Sequence, residues 1–149
     1  ADQVADVFEN DTSGKAAIGS GYTYSGHLVG AAAALACLAE MRKQNVHQNA
    51  AKQGISLFAG LQKLGEKYDV IGDVRGGHGL MCAMELVSDQ STKATVDKAT
   101  IKTIQEATYQ AGVMVRVSGP NIILSPPLIL SDDETTRIIS ALDEGLSTA

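Results

Sequence analysis

The sequence predicts an α+β domain, a small and mostly antiparallel sheet covered by helices. Three observations carry that expectation. The 149 residues are the length of one ordinary domain, and 44% apolar against 19% charged supplies a core, which excludes disorder as the main state. The apolar pattern changes from helical spacing before residue 70 to two-residue alternation after it. Glycine and proline then punctuate a series of short extended stretches, with one helix among them and one after them.

Each element has its own reason. Residues 1–8 suit a short helix with Val4, Ala5 and Phe8 on one face, and residues 10–20 read as a loop rich in turn formers. Residues 26–43 lack proline and are dominated by alanine and leucine, which predicts a long helix with Ser25 as N-cap and Arg42 and Lys43 at its C-terminal end. A break near Asn45 leads to a second long helix over 48–67, with Ile55, Phe58, Leu61, Leu64 and Tyr68 inward.

Residues 70–74 form a strand expectation, followed by the turn Gly76-Gly77-His78-Gly79. Leu80, Cys82, Met84 and Leu86 alternate with Met81, Ala83 and Glu85, which suits a strand covered on both faces for most of its length. A helix over 96–111 would place Ile101, Ile104 and Ala107 inward and stop at Gly112. Residues 113–117 alternate cleanly, with Val113, Val115 and Val117 on one face and Met114 and Arg116 on the other. After the turn 118–121, residues 122–124 return as the hairpin partner, and Pro126-Pro127 ends that strand. Ser131-Asp132-Asp133-Glu134 is a capping box for a last helix, with Ile138, Ile139, Leu142 and Leu146 inward.

Composition narrows the function classes. Twelve basic against seventeen acidic residues give a net charge of −5, which argues against nucleic acid or an anionic membrane as the partner. Without tryptophan, and with four tyrosines and two phenylalanines, stacking platforms for bases are not expected. The longest apolar run, residues 28–39, is mostly alanine and glycine and too short for a membrane span. The N-terminal residues lack a signal-peptide layout and an initiator methionine, so the chain reads as part of something longer. Cys37 and Cys82 lack metal-ligand spacing and read as reduced core residues of a cytoplasmic protein.

Two segments could carry chemistry. Gly21-Tyr22-Thr23-Tyr24-Ser25-Gly26-His27 precedes the long helix, where hydroxyls and free N–H groups either cap the helix or bind an anion. Arg116 could be a carboxylate fork or an exposed strand arginine in a surface ion pair. Other candidates are weaker. The glycine turn 76–79 lacks the lysine and helix of a phosphate loop, and His27, His47 and His78 show no metal-ligand spacing. Ser25, Ser118 or Ser125 with a histidine would make a hydrolase, but no nucleophile-elbow pattern supports it.

The run 21–27 resembles the Gly-aromatic-Thr-Tyr-Ser-Gly-His-Pro motif of the class III aminotransferases of the omega-amino-acid:pyruvate type. Asp73-Val74-Arg75-Gly76 with Gly79-Leu80-Met81 and Glu85-Leu86-Val87, then Gly112-Val113-Met114-Val115-Arg116 and Ser125-Pro126-Pro127-Leu128, continue the resemblance across nearly the whole chain. Leu28 departs from it, standing where the family has proline. The resemblance implies the C-terminal portion of a fold-type I enzyme: residues 1–25 a remnant of the large domain, 26–47 a long connecting helix and 48–149 the small domain. It implies pyridoxal 5′-phosphate as cofactor, a homodimer, and transfer of an amino group from an amine or amino acid to a keto acid such as pyruvate. Tyr22 and Thr23 match the positions that bind the cofactor phosphate of the partner subunit, and Arg116 matches a mobile arginine that grips a substrate carboxylate. The lysine that carries the cofactor would lie upstream. None of the eight lysines here has an apolar setting that would activate an amine, so this chain alone is expected to be inactive. The rivals are a same-fold aminomutase or decarboxylase, and a non-catalytic α+β module that binds an effector or a partner protein. The Arg116 motif favours the aminotransferase.

Overall fold

The computed structural model describes residues 2–17 and 21–149. The chain divides into two compact units, Ala1–Leu38 and Ala39–Ala149. In the first, α1 (Asp2–Glu9) leaves Val4, Val7 and Phe8 exposed and buries no residue. In the following loop the Asp11 carboxylate accepts the amides of Ser13 and Ala16 at 2.9 and 2.8 Å. Residues 18–20 of the expected loop, and Ala1, lie outside the described residues.

Helix α2 (Leu28–Lys43) carries Arg42 and Lys43 in its last turn and is exposed throughout. Its cap is not Ser25, which lies within a turn. His27 takes that place, its Nδ1 accepting the Gly30 amide at 3.0 Å while its carbonyl accepts that of Ala31. Cys37 is exposed on this helix, against the expectation of a core residue, whereas Cys82 is buried, which pushes its thiol pKa up.

The second unit is built as expected, with more elements than the sequence showed. Helix α3 (Val46–Lys67) buries Ala50, Gln53, Gly54, Leu57, Leu61 and Leu64, while Ile55, expected inward, is exposed. Gly54 is required there: a Cβ would stand 2.2 Å from the Gly79 carbonyl oxygen. Strands β1 (Ile71–Arg75) and β2 (Cys82–Asp89) pair antiparallel with a bulge at Gly72, where any side chain would strike Val87. The two-residue strand β3 (Ala94–Thr95) pairs with β2 beyond the sheet's main path. Helix α4 (Lys98–Gln110) is capped by Asp97 and buries Ile101, Ile104 and Thr108; Ala107 is only half-buried. Strand β4 (Arg116–Ser118) is shorter than the alternation predicted, because residues 113–115 leave the ladder. Gly119 takes the positive φ of 58° that a two-residue hairpin loop asks of its first position, and β5 (Asn121–Leu124) follows. Helix α5 (Asp132–Leu146) opens on the expected capping box of Ser131 and Glu134.

The sheet order is β1-β2-β5-β4, antiparallel throughout. One face carries Cys82, Met84, Leu86, Ile122 and Leu124 into a single core with Leu57, Leu61, Ile104, Leu142 and Leu146 of the three helices. The other face was expected to be covered for most of its length, and within this unit it is not. Ala83, Glu85 and Ile123 are half-buried there, and Met81 is 71% exposed.

Candidate functional site

Residues 21–27 form a turn in which the Ser25 amide donates to the Tyr22 carbonyl and the His27 amide to that of Tyr24, at 2.9 and 3.1 Å. Gly26 supplies the positive φ of 73° that closes it. The Tyr24 ring meets His27 edge-on at 5.7 Å. Tyr22 is exposed, and neither the Thr23 hydroxyl nor the amides of Thr23 and Tyr24 have a partner among the described residues. A hydroxyl and two free amides on one turn fit a phosphate oxygen, the kind of ligand such groups hold.

Arg116 lies in the second unit, on the edge strand β4. Its register partner is Ile123, which pairs with Ala83, which pairs with Arg75. The two arginines therefore end one row across the helix-free face. They differ in partners. Arg75 Nη1 donates to Asp73 and Glu85 at 2.8 and 2.7 Å and Nη2 to Asn121, whereas Arg116 makes no ion pair among the described residues. Sequence reasoning left the surface ion pair open for Arg116, and the structure supplies no carboxylate for it.

Arg116 borders a cavity of about 500 Å³ where the segments before β4 and after β5 splay apart. Val115, Leu124, Pro127, Ile138 and Met114 give it an apolar lining, and Arg116 and Ser125 are its polar side chains. Helices fix those walls. Asn49 Nδ2 of α3 donates to the carbonyls of Leu128 and Leu130, both at 2.9 Å, which anchors the segment after Pro127. Gln105 Nε2 of α4 donates to the Val115 carbonyl at 3.2 Å, and the Val113 amide to the Thr108 carbonyl at 3.1 Å. Asn49 and Gln105 escaped sequence reasoning, since a polar residue on an amphipathic helix carries no mark of a distant partner. Tyr22 and Thr23 lie in the first unit and Arg116 in the second.

Among the described residues no serine hydroxyl bonds a histidine, and no three potential ligands cluster as a metal site would require. All eight lysines are exposed, with Lys43, Lys52 and Lys67 in ion pairs to Glu40, Asp132 and Asp143. No described helix is long and apolar enough to cross a membrane.

The sequence pattern described as aminotransferase class-III matches residues 2–146. The chain belongs to the class-III aminotransferases. Pyridoxal phosphate is the cofactor of this family. The taurine–pyruvate aminotransferase of Rhodobacter capsulatus is 36% identical over 83% of this chain and 28% of its own length. An amine transaminase from an uncultivated Pseudomonas species, solved in its PLP-bound form, superposes with a TM-score of 0.85 at 44% identity over 97% of this chain. An (S)-enantioselective omega-transaminase from Thermomicrobium roseum gives a TM-score of 0.82 at 31% identity over 99% of this chain. This class-III chain spans about a third of the length of those relatives, 28%, 33% and 32% respectively.

Proposed function

We propose that this chain is the small domain, with a remnant of the large one, of an enzyme that moves an amino group from an amine or amino acid to a keto acid such as pyruvate. In this reading residues 1–25 belong to the large domain, 26–47 connect and 48–149 form the small domain. The complete enzyme is a cytoplasmic homodimer. Thr23 and its neighbour Tyr22 hold the cofactor phosphate across the subunit boundary, the Thr23 hydroxyl and the free amides of its turn donating to the phosphate oxygens. When bound, pyridoxal phosphate supplies the electron sink for the substrate carbon that loses its proton. The protein's task is then to orient the substrate against it.

Arg116 does that orienting. Its planar guanidinium offers two parallel N–H donors to a carboxylate and stays charged at any working pH. The observation that carries the reading is the unpaired guanidinium beside a cavity with apolar walls. An edge strand next to the Gly119-Pro120 turn lets the side chain leave the cavity for solvent, so that an uncharged amine can also enter. Arg116→Ala in the complete enzyme should lower catalytic efficiency with alanine and pyruvate at least about thirtyfold, some 2 kcal/mol, and barely affect the half-reaction of a simple amine. Arg116→Lys should restore little, because an ammonium lacks the fork. Stopped-flow measurement of each half-reaction separates the cases. Equal losses for amine and alanine would make Arg116 structural.

A further inference from the structure

The hairpin ladder stops at the pair Arg116 and Ile123, although both chains continue beyond it. Ser125 follows directly after β5, two residues beyond Ile123, the register partner of Arg116. Ser125 and Arg116 border the same cavity. The Ser125 side chain is exposed and makes no hydrogen bond among the described residues.

The loop that follows sharpens the point. Pro126 and Pro127, which line the cavity after Ser125, have no N–H and so offer it no backbone donor. Asn49 holds the Leu128 and Leu130 carbonyls, which keeps this wall in place when a ligand enters. A carboxylate has two oxygens and about four lone-pair directions, of which a guanidinium fork uses two.

We propose that Ser125 is a second binding residue for the substrate carboxylate, its hydroxyl donating to an oxygen that Arg116 already holds from the adjoining strand. The proposal rests on the reading of Arg116 given above. Ser125 thereby fixes the rotation of the carboxylate in the plane of the fork, which the guanidinium alone leaves free to slide. Met114 and Ile123, on the same face, are then the contacts for the carbon atoms next to that carboxylate.

Butyrate, a carboxylate without an amino group, is the probe, used as an inhibitor of the complete enzyme, with butylamine as the substrate that lacks the carboxylate. Ser125→Ala should weaken butyrate inhibition about tenfold and leave kcat/KM for butylamine unchanged. Ser125→Thr, which keeps the hydroxyl, should stay close to the parent enzyme. If Arg116→Ala weakens butyrate and Ser125→Ala does not, the Ser125 proposal falls while the Arg116 reading stands. If neither weakens it, both fall. Equal losses for butyrate and butylamine in Ser125→Ala, or a Thr variant as weak as the Ala variant, would also overturn the proposal.

Discussion

The two faces of the sheet are made by the same strands and have opposite characters. Met84, Leu86, Ile122 and Leu124 face three helices and are almost completely buried. One residue away on each strand, Arg75, Ala83, Ile123 and Arg116 form a row with no helix of this unit over it. A period of two lets one strand serve stability and binding at once, provided the register does not slip. The bulge at Gly72 and the hairpin turn at Gly119 hold that register. The lesson is that a substitution's effect here should depend on the parity of its position more than on its distance along the chain.

The largest test of that difference compares Met84→Ala with Ile123→Ala. Met84 is 0% exposed at the centre of the core, and truncation of such a side chain costs about 2–5 kcal/mol. Ile123 lies on the adjoining strand, half-buried on the other face, and its truncation should cost clearly less. Urea unfolding of this chain measures both. Equal losses would show that the two faces are equally packed.

That parity was legible around Arg116, where the alternating valines and the Gly-Pro turn state it directly, but not on β2, which the sequence suggested was covered on both faces. The capping box was legible too, its Ser131 and Glu134 acting locally. What was not legible depends on contacts far along the chain. On α3 the expected stripe holds at Leu61 and Leu64 and fails at Ile55, and the buried face also takes in Gln53 and Gly54. Gln53 is acceptable in a core because Thr135 and Asp132 satisfy its amide at 2.9 Å each, and Gly54 because the Gly79 backbone lies against it. Neither partner can be read from a helix pattern. A histidine cap at His27 and a two-residue strand at 94–95 are also too weakly marked for propensity to find. Of the proposed site, Tyr22, Thr23 and Arg116 come from motif resemblance, whereas the lack of a carboxylate beside Arg116 among the described residues is a property of the folded sheet.

The helical side keeps its charges at the rim, where Lys67–Asp143 and Lys52–Asp132 join α3 to α5, and this gives a pH test. Lys67 holds the Asp143 carboxyl below the usual carboxylate range, with help from the Tyr68 hydroxyl; Lys52 does the same for Asp132, and the Ser131 amide for Glu134. A carboxyl whose folded pKa lies below its unfolded value of about 4 adds stability that is fully present above that value. The contribution is lost as pH falls through the lowered, folded pKa. Stability of this chain should therefore be level from pH 7 to about 5 and decline below about 4, with Asp143→Asn flattening the decline. Urea midpoints across pH 2.5–7 check this. A variant with an unaltered acid slope would remove Asp143 from the account.

The smallest expected effect is at the other end of the arginine row, and it tests whether the two arginines have exchanged no duties. Asp73 and Glu85 are direct cross-strand partners, a pairing of like charges that is unfavourable by itself. Arg75 lies between them and bonds both, so its charge converts a repulsive pair into a bridge that continues to Asn121 on β5. The side chain is 48% exposed, so water screens much of that gain, and exposed pairs contribute about 0.2–1 kcal/mol each. Arg75→Ala should cost about 1 kcal/mol, or roughly 2–4 °C in melting temperature for a chain of this size. Adding Glu85→Gln to Arg75→Ala should recover part of the loss, because the remaining carboxylate then faces a neutral amide. Discrimination between alanine and a simple amine in the complete enzyme should not change with Arg75→Ala. Arg116→Ala should do the reverse, altering that discrimination while leaving the melting temperature where it was. A loss of carboxylate discrimination in Arg75→Ala would mean that the row acts as one binding surface, and the division between a structural and a binding arginine would have to be abandoned.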